Sequence, residues 1–480
     1  MGFHWITFVH LGIIAAALVL ATWIRSRVPF FQRYLVPNSL TAGFLLLLFY
    51  NFAARPLRLD SAPLGELIYH LLSISFIAMS LRDPPARKTG RRVFATGLMM
   101  AASFTLQGLL GLGLAFLFMA TFQPALNPSF GLFLPLGYEL GPGQAYSIGK
   151  GWEELGFAGA GSLGLTIAAL GFLWACFGGV YLINLGIRRG WVAAPRLSRA
   201  ASQGLRSGVY PPGTKLEPGS RLSTETEALD GLALNLAAVL VCYLATFFLL
   251  KGLTALLSLA GKEGRELAVN LWGISFIFAA ILAALAKMLA LRARVDHVLD
   301  PGSLTRIAGL SVDLLVAASL GAISLVVVAR FWGAILIMGL LGGVLTFGYC
   351  LWLPSRLFDE HRFQRALIFY GGATGTLPTG LALLRVVDPE FATPAAVDYM
   401  YGSGVAFFLV IPYVLAINLP MYGFTRGEPR YYWLMIGLML FYLLLILVLV
   451  RVLGGKKAYA HPLRLWAEEP GELKTKTRRR

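Results

Sequence analysis

Apolar and polar positions fall in long alternating blocks along the chain. Eleven blocks are apolar and long enough, or nearly so, to cross the roughly 30 Å hydrocarbon core of a bilayer as helices. They are Trp5–Ile24, Asn38–Ala53, Pro63–Leu81, Val93–Phe122, Ala160–Leu185, Gly231–Leu250, Leu267–Ala286, Ile307–Ala329, Trp332–Leu353, Asp398–Met421 and Tyr431–Val450. Two further stretches, Gly131–Gly149 and Ala366–Arg385, are apolar but short, rich in glycine and interrupted by proline. The pattern predicts an all-α polytopic membrane protein. The first block lacks the basic start and small-residue cleavage site of a signal peptide, so it is read as a retained helix.

Composition agrees. Of 480 residues, 57% are hydrophobic and 14% charged, against about a quarter charged in soluble domains. The net charge of +17 raises nucleic acid as a partner, but the basic residues sit in short loops between apolar blocks, where topology signals lie. No basic–aromatic surface or nucleic-acid motif accompanies them. Cys176, Cys242 and Cys350 are far apart inside apolar blocks and read as small buried hydrophobes. His10 and His70 are isolated and read as structural. No metal-ligand spacing, nucleotide loop or nucleophile–base pair stands out.

Lys and Arg placement fixes an expected topology. With the N-terminus outside and both glycine-rich stretches dipping in and returning to the same side, 31 of the 41 Lys and Arg fall inside, the tail LKTKTRRR included. Eight fall in outside loops. Letting either stretch span puts a strongly basic segment outside, against the positive-inside rule. The expected fold is therefore two inverted repeats of five transmembrane helices, each with a re-entrant hairpin, plus one extra C-terminal helix. Repeat one covers 1–187 with its hairpin at 131–149, a cytoplasmic linker covers 188–230, and repeat two covers 231–425 with its hairpin at 366–385. Residues 426–480 add the extra helix and a basic cytoplasmic tail. A constant offset of 234 aligns Gly137 with Gly371, Gly141 with Gly375, Glu154 with Asp388 and Asn184 with Asn418. Inverted repeats with interrupted segments at matched positions point to a transporter's binding site.

The second stretch reads FYGGATGTLPTG, Phe369 to Gly380. Irregular backbone at membrane depth must be enclosed by protein or line a cavity. Gly371, Gly372 and Gly375 allow the bend, and Pro378 breaks the helical ladder. Carbonyls and the hydroxyls of Thr374, Thr376 and Thr379 can then hold a hard cation such as Na⁺, while half-helix N-termini receive a carboxylate. The first stretch, GYELGPGQAYSIG from Gly137 to Gly149, offers Gly141 and Gly143 for the break and Gln144 and Ser147 as polar groups. It also holds Glu139, an intramembrane carboxylate and so a functional candidate; staying protonated or pairing with Lys150 as a tie are its structural alternatives. Asp313 is a candidate cation ligand, with capping or snorkelling as its alternative. Asn184 and Asn418 are candidate cation ligands or helix ties. Arg385 is a candidate partner for a substrate carboxylate, with facing cytoplasmic water as its alternative.

At GYELGPGQA, LGLTIAALGFLWACFGGVYLIN, FYGGATGTLPTGLALLRVV and GSGVAFFLVIPYVLAINL the chain resembles the bacterial glutamate:sodium symporter family. The looser similarity covers roughly residues 5 to 425. Thr376, Pro378 and Thr379 fit that family's second hairpin, whereas Glu139 and Leu140 stand where the family has Gly and His in a GGHGTG-like first hairpin. The extra C-terminal span also departs from the family. The resemblance implies a homodimeric inner-membrane carrier with a fixed scaffold and a mobile core, sodium and substrate binding between the hairpin tips. It implies sodium as coupling ion with no cofactor, and a divergent member whose substrate is glutamate or a related anionic carboxylate. Two other readings stay open: a proton-coupled carrier or exporter in which Glu139 titrates, and a channel or membrane scaffold with the hairpins as a fixed filter. An intramembrane enzyme is not expected, since no catalytic constellation is visible.

Overall fold

The computed structural model describes residues 5–82, 90–192, 203–204, 206–214, 218–259, 261, 264, 268, 271–388, 393–455, 458–459 and 462–467. Among these the secondary structure is helical, without a strand. The main helices are α1 (Ile6–Arg27), α2 (Asn38–Leu48), α3 (Ala62–Arg82), α4 (Arg91–Ala120), α5 (Pro142–Glu154), α6 (Ala160–Arg188), α7 (Gly231–Ser258), α8 (Ser275–Arg292), α9 (Pro301–Gly321), α10 (Leu325–Trp352), α11 (Arg362–Thr374), α12 (Leu377–Val387), α13 (Ala395–Ala416) and α14 (Arg430–Gly454). Ten helices among the described residues are long and apolar enough to cross a membrane. The predicted span Asn38–Ala53 is shorter: α2 continues through a π turn to Ala53.

The faces of these helices require an apolar surrounding. About two-thirds of the apolar window of α6 is buried (67%), against 22% of α7. On α7, Leu240, Leu244, Phe247 and Phe248 face outward. A helix apolar all round with its Leu and Phe exposed is at home in lipid, not water. The chain is a multi-pass membrane protein.

The helices pack in two groups. In one, α3 packs on α8 and α9, α2 on α9 and α1, and α7 on α8. In the other, α4 packs on α13, α14 and α10, and the two glycine-rich segments insert between them. Contact between the groups runs mainly through α5, which touches α3 and α9.

Two boundaries differ from the hydropathy pattern. The eighth span was expected to end at Ala329, but α9 ends at Gly321 and the chain turns at Ala322–Ser324. Polar side chains distant in sequence satisfy that turn: Asn51 Nδ2 donates to the Ile323 carbonyl (2.9 Å), Asn51 Oδ1 accepts from Leu325 N (3.1 Å) and Ser162 Oγ accepts from Ser324 N (2.8 Å). Buried backbone groups need partners, and here they come from two other helices, so a turn sits inside an apolar run. The seventh span was expected from Leu267, which lies outside the described residues; α8 begins at Ser275.

After α14, residues 458–459 and 462–467 fold back over the end of α10. Trp466 stacks on Trp191 at 4.5 Å, and Arg356 donates to the Arg464 carbonyl at 2.7 Å. The tail LKTKTRRR lies outside the described residues.

Candidate functional site: two helix breaks that meet

The first glycine-rich stretch folds as a bent arm. Asn127 caps its start by accepting from Ser129 N (2.9 Å), and a π turn over Leu136–Leu140 ends at Gly141. Gly141 has φ +96° and ψ 178°, a conformation open essentially to glycine alone. Pro142 then begins α5 in the first helical turn, where its missing N–H has no cost. In the second stretch α11 stops at Thr374, Gly375 breaks the helix at φ −142° and ψ −109°, Thr376 is extended, and α12 starts at Leu377 with Pro378 in its first turn. The two arms of this hairpin touch backbone to backbone: a methyl on Gly371 would come 2.6 Å from Gly380 Cα. Both α5 and α11 have 13 residues, about 20 Å of helix, too short to cross a bilayer.

Helix α10 is the ruler that relates them. The open end of the first arm lies against its N-terminus, where a methyl on Gly159 would sit 3.0 Å from Val327. The open end of the second hairpin follows its C-terminus through the short helix Pro354–Leu357. The two glycine-rich segments are therefore joined to the chain near opposite ends of α10. Near its midpoint the Tyr138 hydroxyl and Trp174 Nε1 both donate to the Gly339 carbonyl, at 2.7 and 3.1 Å. There the tips meet: a methyl on Gly141 would lie 3.7 Å from Thr376 Cγ2 and 3.9 Å from the Gly375 carbonyl oxygen.

The meeting point gathers five of the residues expected from the sequence. Gly141, Gly375 and Thr376 form it; Gln144 turns its Oε1 toward Gly141, and Thr379 shares its hydroxyl with Thr376 at 3.3 Å. Gly143 faces away, onto Leu72 and Leu315. The Thr374 hydroxyl is used within α11, donating to the Tyr370 carbonyl at 2.7 Å. Gly372 carries the Tyr399 ring against its backbone, where any side chain would overlap the phenol. Ser147 is buried farther along α5, its Oγ without a partner.

The other candidates lie elsewhere. Arg385 donates to the Tyr210 hydroxyl (3.0 Å) near the far end of α12. Asn184 is exposed and bonds its own helix at Val180. Asn418 accepts from Trp152 Nε1 (2.6 Å) and ties α5 to the break after α13. Asp313 lies on the outer face of α9 beside Ser39. Lys150 pairs with Glu153, not with Glu139. His10 and His70 bond Tyr50 and Tyr243, and all three cysteines are free and buried.

Glu139 sits two residues before the tip, set back against α4. The Ser103 hydroxyl faces its carboxyl, with Tyr349, Cys350 and Tyr399 within electrostatic range. One helical turn from Ser103, Gln107 donates to Thr346 Oγ1 (2.9 Å) and to the carbonyl of Ala373 (3.2 Å), two residues before Gly375. Ser103 and Gln107 were missed from the sequence. Their only signal was two polar residues four apart inside AASFTLQGLL, a pattern that is common in helix ties.

At the tips, α5 and α12 both begin without a side-chain cap. Free N–H groups and the positive ends of two helix dipoles thus converge on one point, an arrangement that favours an anion. The last carbonyls before each break, with the Thr376 and Thr379 hydroxyls, supply oxygens for a cation beside it. No family model matches the chain, and no curated protein or solved structure matches it.

Proposed function

We propose that the protein is a secondary active transporter, carrying glutamate or a related small carboxylate with sodium across the cell membrane by alternating access. The observation that carries this reading is the convergence of two uncapped helix N-termini, α5 and α12, midway along α10. The substrate carboxylate is received by the N–H groups that open those helices. Sodium is held by the Thr376 and Thr379 hydroxyls and the carbonyls that end at Gly141 and Gly375. Two motifs at these tips, GYELGPGQA and FYGGATGTLPTG, carry the resemblance to glutamate:sodium symporters.

The same reading makes the arms re-entrant hairpins entering from opposite faces, in inverted repeats with the N-terminus outside and the C-terminus cytoplasmic. The helix group around α3 and α9 is the scaffold and dimer surface; the group around α4 and α10 moves. Coupling requires each ligand to favour the closed core more when the other is bound, about 1–3 kcal/mol of coupling free energy.

Uptake of radiolabelled glutamate into proteoliposomes, with and without an inward sodium gradient, tests this. Accumulation that needs the gradient and saturates is expected. Conduction without saturation would replace the carrier with a channel, and accumulation that follows a pH gradient and ignores sodium would replace the coupling ion with a proton.

A further inference from the structure

Directly behind the tips lies a group of oxygens that the fold leaves without partners. Glu139 Oε2, Ser103 Oγ and Gln107 Oε1 are all buried and unbonded, and Ser103 and Gln107 are each only 1% exposed. Buried polar atoms are nearly always hydrogen-bonded, so three on one stretch of α4 and the facing arm call for an explanation.

The orientation of Gln107 is fixed by its neighbours. Thr346 donates its own hydroxyl proton to the Gly342 carbonyl (2.7 Å), and the Ala373 oxygen is an acceptor by nature. Both therefore need N–H donors, which places the Gln107 amide nitrogen on them and its oxygen free. All three unpartnered atoms can accept. The Ser103 hydroxyl lies near enough to act on the Glu139 carboxyl without meeting strict hydrogen-bond geometry, and Gln107 Oε1 has no partner at all. The groups acting on Glu139 are Ser103, Tyr349, Cys350 and Tyr399, with no Lys or Arg among them. A buried carboxylate with no counter-charge is costly.

We propose that Glu139, Ser103 and Gln107 form a sodium site distinct from the tip hydroxyls. A monovalent hard cation neutralises the carboxylate and is coordinated by carboxylate, hydroxyl and amide oxygens at once. The site touches both hairpins: Glu139 is two residues from Gly141, and Gln107 holds Ala373, two residues from Gly375. Sodium bound there draws the first arm onto α4 while Gln107 keeps the second in register, which sets the two N-termini for the substrate carboxylate. This rests on the transporter reading for its purpose, and Glu139 becomes a ligand of the coupling ion, not of the substrate.

The test is ²²Na⁺ binding to purified, substrate-free protein in detergent, at constant ionic strength and pH. Wild type, Glu139→Gln, Ser103→Ala and Thr376→Val are compared, and monodispersity is checked for each. The expected result is loss of one bound sodium per chain in Glu139→Gln. Ser103→Ala should weaken the same site about tenfold, while Thr376→Val keeps the Glu139-dependent sodium. Unchanged stoichiometry and affinity in both Glu139→Gln and Ser103→Ala would overturn the proposal, as would wild-type protein that binds no sodium. Because no transport is measured, sodium lost in Glu139→Gln alongside failed glutamate uptake would sustain this site and sink the symport reading. Gradient-driven uptake with Glu139→Gln still binding every sodium would do the reverse.

Discussion

The two glycine-rich segments both break their helices at glycine beside proline and differ in how they are anchored. At the base of the second, Arg365 Nη2 meets Asp398 Oδ2 at 2.6 Å with both side chains buried, and Arg92 stands 3.8 Å away. Near the far end of α5, in the first, the corresponding pair is Lys150 with Glu153, half-exposed on the lysine side. The tips differ in the opposite sense. In the second hairpin the threonine hydroxyls are occupied: Thr374 bonds Tyr370, and Thr376 and Thr379 bond each other. In the first, Glu139 Oε2 and Ser147 Oγ have no partner. One arm is locked at its base and self-satisfied at its tip; the other is lightly tied and carries unmet polar capacity. The contrast is one of anchoring and polar satisfaction: the second segment is tied by a buried ion pair and its hydroxyls are paired with one another, while the first carries polar atoms without a partner.

Substitutions at each level sharpen this contrast. The largest effect is expected at the buried pair. Arg365→Met strands Asp398 and should lower stability by about 3–5 kcal/mol, whereas Lys150→Met at the exposed pair should change it by less than about 1 kcal/mol. Thermal unfolding in detergent reads both, and equal losses would erase the difference in anchoring.

Next come the tip glycines. Gly141→Ala places a side chain at φ +96° and should lose about 1–3 kcal/mol together with ligand binding. Gly375→Ala, at a negative φ, meets the Gly371 carbonyl at 3.1 Å, Thr379 Oγ1 at 3.2 Å and Ala175 Cβ at 3.3 Å. These are close contacts without the positive-φ strain, and the loss should be milder in the same assay. Thr376→Val removes a hydroxyl pair worth about 1 kcal/mol; its mark should be weaker sodium dependence of uptake in folded protein.

A control of modest size lies outside both segments. Asp300 caps α9 by accepting from Ser303 N at 2.7 Å, and Asp300→Ala should cost about 1 kcal/mol. Burial alone would push its carboxyl up, but hydrogen bonds from Ser303, Arg221 and Gly302 outweigh that and hold it below the usual carboxylate range. Its contribution is present above the unfolded-chain value near about 3.9. It fades as pH falls through the lower folded value, so the variant's deficit should shrink in acid and leave transport above pH 5 unchanged in form.

Much of this was legible in the chain. Glycine and proline mark both breaks because the backbone there has few alternatives, and the two breaks meet at Gly141 and Gly375. Apolar runs gave the spans for the same reason: lipid imposes one requirement at every position. What failed to show was whatever depends on a partner far along the chain. The turn at Ala322–Ser324 is made by Asn51 and Ser162. Arg385, expected to face substrate, points at Tyr210 because α12 carries it about 12 Å beyond the tip at 1.5 Å per residue. Ser103 and Gln107 gained meaning only once Glu139 and Ala373 were seen against α4.

The central claim is that the facing tips together receive the ligand. Amide hydrogen exchange with peptide-level mass spectrometry, in sodium with and without glutamate, tests it most directly. The account predicts that peptides covering Gly141–Ala145 and Leu377–Gly380 both become protected when sodium and glutamate are present, while α7 does not change. Protection at one tip alone, or at neither under conditions where glutamate is taken up, would contradict it.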